Sequence, residues 1–103
     1  MLITCMIRAP RPGTMAMLLR RMAAAARKDI EGRRFDAIGL VQTDLARLFY
    51  FADVGQKAGD VLAMELTGDC PQRMSTIAFF GDTAAVDAAL AAVEAASATG
   101  GKR

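Results

Sequence analysis

Seven segments of distinct hydrophobic period succeed one another along the chain. Residues 2–9, LITCMIRA, form a short apolar run stopped by Pro10 and Pro12, which predicts a strand. Cys5 within it is expected to be a small, buried or half-buried side chain. From Thr14 to Lys28 the spacing becomes helical. Met15, Leu18, Leu19, Met22 and Ala26 share one face, while Arg20, Arg21, Arg27 and Lys28 lie largely outside it. Thr14 can cap the start, the last-turn cations suit the negative end of the helix dipole, and Gly32 marks the exit. RFDAIGLVQT, residues 34–43, predicts a second strand with Phe35, Ile38, Leu40 and Val41 as its apolar positions. Asp44 can cap a helix over 45–59, whose buried face is expected to be Leu45, Leu48, Phe49 and Ala52, with Gly59 near its end. VLAMEL, residues 61–66, and STIAFF, residues 75–80, predict two further strands. Gly81-Asp82 then turns into an alanine-rich helix over 83–97, with Asp82 as N-cap and Val86, Leu90 and Val93 at core spacing.

The order strand, helix, strand, helix, strand, strand, helix predicts an α+β (α/β) domain. Its expected form is a four-stranded antiparallel sheet flanked by helices, ferredoxin-like in outline. Residues 1–97 are expected to form one domain, and 98–103, ATGGKR, a flexible polar tail. The two alanine-rich helices can approach closely but bury limited area, so a chain of 103 residues gains from oligomer interfaces.

Composition narrows the function classes. At 53% hydrophobic residues the chain should fold. No apolar stretch approaches the ~20 residues of a membrane span. Arg8 and Arg11 follow the first apolar run, the wrong order for a signal peptide, so a cytoplasmic location is expected. The net charge of +2 hides an asymmetry: residues 1–35 carry +6 and residues 36–99 carry −6. A basic end can attract nucleic acid. There is no Trp, only one Tyr and no interleaving of basic and aromatic residues, so complementary patches between identical neighbours explain the split better. The methionines sit at helical spacing and read as core.

The remaining chemistry lies in TGDCPQRM, residues 67–74, where Cys70 stands between an acid and a proline. With no His in the chain, a Cys–His catalytic pair is impossible, and the two cysteines form no Cys-x-x-Cys motif. No acid–base constellation converges, so an enzyme is not expected. One cysteine cannot hold most metals alone, so the loop matters chemically only if several copies meet. Gly81-Asp82 lacks the glycine pattern of a phosphate loop.

From Asp36 onward the chain resembles bacterial microcompartment shell proteins of the BMC-domain family. AIGLVQTD resembles their opening strand, and KAGDV, residues 57–61, the end of the following helix. FFGDTAAVDAALAAVEAA, residues 79–96, resembles their Gly-Asp-initiated helix. ITCMIRAPRPG, residues 3–13, resembles the strand and Pro-Arg-Pro turn that normally end the domain. Its position here is that of circularly permuted members, and no extension for a β-barrel lid is expected before it. The resemblance is least over residues 14–33, a segment longer and more basic than the resemblance leads one to expect.

The resemblance implies a homo-hexameric tile, joined to other shell proteins and enclosing enzymes, without enzymatic, nucleic-acid or membrane roles of its own. Lys57 matches the tile-edge lysine, with Arg11 beside it. Gly68, Asp69, Cys70, Pro71 and Gln72 match the pore loop, in the Gly-x-Cys-Pro-Gln form of permuted shell proteins from glycyl-radical propanediol compartments. That form implies a [4Fe–4S] cluster with Cys70 as metal ligand. Six copies of Cys70 around one axis offer the four thiolates that a cluster needs. Gly68 permits a tight backbone path, Pro71 limits local freedom, and Gln72 can donate hydrogen bonds at the rim. Asp69 adds unfavourable negative charge, which Arg73 can offset. Zinc at Cys70, an inert pore thiol passing small metabolites, and a regulatory ligand-binding oligomer are the competing readings.

Overall fold

Asp44 and Asp82 each stand where a strand gives way to a helix, and each carboxylate accepts a hydrogen bond from the backbone three residues on. Asp44 Oδ1 accepts from Arg47 N at 3.0 Å, and Asp82 Oδ1 from Ala85 N at 2.7 Å. Caps of this kind contribute about 1 kcal/mol each. The computed structural model describes residues 2–67 and 74–99. Within them the chain runs β1 (Ile3–Arg8), α1 (Pro12–Arg20), α2 (Ala24–Ile30), β2 (Ala37–Asp44), α3 (Leu45–Ala58), β3 (Leu62–Leu66), β4 (Met74–Gly81) and α4 (Thr83–Ala98).

The four strands form one antiparallel sheet in the order β1-β2-β4-β3. The expected α+β architecture is therefore the one observed. Alternation along the central strands divides the core in two. Ala37 and Val41 of β2 and Ile77 and Phe79 of β4 face α3 and α4, where they meet Leu48, Phe51, Val86 and Val93. Ile38, Ala78 and Phe80 point to the opposite face, which Leu18 of α1, Ile30 of α2 and Met22 between them cover. The sheet thus lies between two helical layers.

Several expectations change. The helix foreseen over 14–28 is two helices, and its start is set by Pro12 rather than Thr14. Arg11 is the N-cap position and makes no side-chain cap bond. Proline at the first helical position fits because its missing N–H would be unpaired there in any case. The break between Arg20 and Ala24 contains neither Gly nor Pro, so it is held by distant partners. Arg27 donates to the carbonyls of Leu19 and Met22, at 3.1 and 3.2 Å. Thr67 donates to the carbonyl of Arg21 from both its backbone N–H, at 2.7 Å, and its hydroxyl, at 2.9 Å. Arg27 therefore caps an interrupted helix instead of lying on a solvated face.

The buried face of α3 also differs. Leu48, Phe51 and Gly55 face the core, whereas Leu45 and Phe49 are 49% and 63% exposed. Two apolar stripes overlap on this helix, and the sheet selects the one whose glycine lets Phe79 approach. Cys5, expected to be at least half-buried, is exposed. It lies on the outer strand β1 and faces the α1–α2 side of the sheet, which those short helices cover incompletely. Gly32 does mark the exit of the helical region, at φ +80. Gly59 follows α3 as expected.

Candidate functional site

The hairpin of β3 and β4 delivers the segment that the sequence singles out. Leu66 pairs with Thr76, so the two strands enter and leave the intervening loop side by side. The residues Gly68, Asp69, Cys70, Pro71 and Gln72 lie outside the described residues. Thr67 and Met74 are the described residues on either side. Thr67 is fixed by its double bond to the Arg21 carbonyl, which ties the loop's first residue to the break after α1. That anchor was not foreseen, because Arg21 and Thr67 are distant in sequence and neither residue type announces such a pairing.

Beside this hairpin end is an open cavity of about 770 Å³ between α1 and the sheet. Its wall is largely apolar, with Met17, Leu18, Leu40 and Leu66, and it carries a polar edge at Gln42 and Thr76. Gln42 Nε2 donates to Thr76 Oγ1 at 3.1 Å, which fixes that edge across two strands. Met17 itself is 67% exposed. Among the described residues, no group of three or more His, Cys, Asp or Glu side chains could hold a metal ion. The chain has two cysteines, so a set of four thiolates would need more than one copy of it.

Lys57 projects from the last turn of α3. Its Nζ pairs with Asp53 Oδ2 at 2.6 Å, one turn earlier on the same helix, and both side chains are exposed. The hydrogen bond and charge of Asp53 raise the lysine's pKa above its ordinary value, so the ammonium form is reinforced. Phe49, Asp53 and Lys57 fall on one helical line, which joins an exposed apolar ring to a charged pair. Arg11 is exposed at the turn before α1. It lines a cleft together with Thr83 at the start of α4. Gly59, just after Lys57, abuts the Ala85 carbonyl of the same helix. Arg11 thus borders the N-terminal end of α4, and Lys57 lies two residues before the glycine that abuts it.

No described helix is long and apolar enough to cross a membrane. The BMC domain model matches residues 37–102, beginning at β2 and leaving β1, α1 and α2 before it. No curated protein matches the chain. Among solved structures, the ligand-free GrpU microcompartment shell protein from Pectobacterium wasabiae is 36% identical, with a TM-score of 0.72. That similarity covers 89% of this chain and 99% of the other. The ligand-free GrpU shell protein from Clostridiales bacterium 1_7_47FAA is 30% identical with a TM-score of 0.70, covering 95% and 94% of the two chains. A fused permuted hexameric shell protein, MSM0275 from the RMM microcompartment, shares the fold at 22% identity and a TM-score of 0.65. This chain spans 96% of its own length in that similarity and 45% of the fused protein's. With its sheet order, its matched region and these relatives, the chain belongs to the BMC domain family of microcompartment shell proteins.

Proposed function

We propose that the chain is a circularly permuted shell tile of a cytoplasmic bacterial microcompartment, a homo-hexamer whose pore loops carry Cys70 to one axis. The observation that carries this reading is the hairpin: in a chain of this family, the Cys-bearing segment 68–72 joins two paired strands, and Thr67 pins its first end. Exposed Leu45, Phe49, Ile3 and Met17 supply apolar surface for neighbouring copies. Lys57 and Arg11 take the tile-edge positions, against other tiles and other shell proteins, and encapsulated enzymes are the partners inside. The role is structural rather than enzymatic.

At the axis, four of six Cys70 thiolates would hold a [4Fe–4S] cluster. The donor set fits only as a shared one: Cys5, the chain's other thiol, sits on the outer strand β1. When bound, the cluster supplies one-electron chemistry at the pore. Protein prepared without oxygen is expected to contain about four irons and four sulfides per ring, the stoichiometry of one such cluster. Native mass defines the ring in the same sample. A hexamer free of metal after anaerobic reconstitution would make the loop a metabolite pore.

The edge assignment has its own test. Lys57→Ala should leave isolated rings intact, because both members of its ion pair are exposed. Extended sheets, followed by electron microscopy and sedimentation, should need roughly tenfold more protein to form, equivalent to about 1.4 kcal/mol. Sheets forming at the wild-type concentration would remove Lys57 from the edge.

A further inference from the structure

The turn after β1 and the segment before β2 are brought together by the pairing of the two strands, which ends at Arg8 opposite Ala37 and is extended by a backbone bond from Ala9 N to Asp36 O at 2.8 Å. Ala9 holds φ +49 to make the turn, a left-handed conformation that alanine seldom adopts. The consequence is a concentration of charge. Arg8 and Arg11 from one segment, and Arg33 and Arg34 from the other, line one cleft of about 720 Å³. Asp36 is the only acidic residue among its described lining residues. Among the described residues, none of the four guanidinium groups has a carboxylate within ion-pair distance; the two ion pairs present involve Arg47 and Lys57.

The floor of this cleft is ordered. Phe35 packs on the buried ring of Phe80, with centroids 5.2 Å apart. The Arg33 guanidinium lies 5.1 Å from the Phe35 centroid, and its Nη1 donates to the Asp29 carbonyl at 3.1 Å. Arg33 is thus held by a ring and a carbonyl, neither of which neutralises its charge. Four like charges left unpaired in one concavity focus a positive potential, and guanidinium groups match phosphate oxygens in paired hydrogen bonds.

We propose that this arginine cleft is a binding site for a small multivalent phosphate anion. Its bounded volume favours a ligand of a few phosphate groups over a nucleic-acid strand. A strand would call for an extended basic groove with exposed stacking rings, and Phe35 is instead packed between Phe80 and Arg33. Phosphate groups of an inorganic polyphosphate and of a phosphorylated metabolite present the same chemistry. The site is independent of any metal at the pore.

The test is calorimetric titration of inorganic tripolyphosphate, at constant ionic strength, into the full-length protein as isolated rings, in which Arg11 at the tile edge is uncovered. Saturable binding at one site per subunit is expected. Arg8→Gln and Arg34→Gln should each weaken it about tenfold, the usual scale for losing a charge-assisted bond. Arg47→Gln, which removes an arginine outside the cleft, should leave it unchanged. Both ligands exclude each other from one site, so their relative affinity separates the sources: a nucleoside triphosphate that binds tighter than tripolyphosphate would identify the metabolite source, and the reverse order the inorganic one. Absence of saturable binding, equal weakening by Arg47→Gln, or tighter binding of a single-stranded oligonucleotide would overturn the proposal.

Discussion

Replacing Cys70 by serine is expected to abolish iron binding while the ring keeps its mass. A serine hydroxyl stays protonated at neutral pH, so six serines around an axis offer no equivalent of a thiolate set. The only other thiol belongs to Cys5, which is exposed on the outer strand of the sheet. Cys5→Ser is therefore the matched control, and it should retain full iron, sulfide and visible absorption. Iron retained in full by Cys70→Ser would exclude this residue as the ligand. Iron lost in Cys5→Ser would point to a site on β1.

Gly55→Ala is expected to destabilise the fold by about 2 kcal/mol. A Cβ built on Gly55 would lie 2.8 and 2.9 Å from Cε1 and Cε2 of Phe79, and closer still to Cζ. Phe79 is fully buried on a central strand, so its ring has little room to yield. Overpacking of this kind costs about 1–3 kcal/mol, with a rigid ring edge at the upper end. The better helix propensity of alanine offsets about 1 kcal/mol of that. Phe79→Leu removes the obstructing ring atoms, so the double variant should be less destabilised than the sum of the singles by about 1 kcal/mol or more. Urea denaturation at one fixed protein concentration measures all three, since assembly contributes to apparent stability. A neutral Gly55→Ala, or strictly additive variants, would show that α3 does not rest on Phe79 in this way.

The features legible in the sequence were those fixed by neighbours along the chain. Asp44 and Asp82 act as caps because a carboxylate needs only the backbone three residues ahead. The four strands and the long helices followed from hydrophobic period, and their order restricted the sheet to few arrangements. Family membership was legible from AIGLVQTD, KAGDV and the Gly-Asp-initiated helix. The candidate pore loop was legible only as a sequence: a cysteine between strands, with chemistry that depends on copies of itself.

What escaped the sequence depended on partners far along it. Leu45 and Phe49 are as apolar as Leu48 and Phe51, and nothing local says which pair faces inward. The tertiary structure decided it, because Gly55 accepts Phe79 only when α3 has one particular rotation. The break after α1 was invisible for a related reason: Thr67 and Arg27 satisfy carbonyls that an unbroken helix would have paired within itself. The arginine cleft likewise arises from two segments that are separate in sequence and brought together by the pairing of β1 with β2. By itself, the sequence determined the order of strands and longer helices, the two Asp-capped helix starts and which family they build. Only the tertiary structure decided which apolar faces are covered and which charges meet, because burial and electrostatics depend on distance in space.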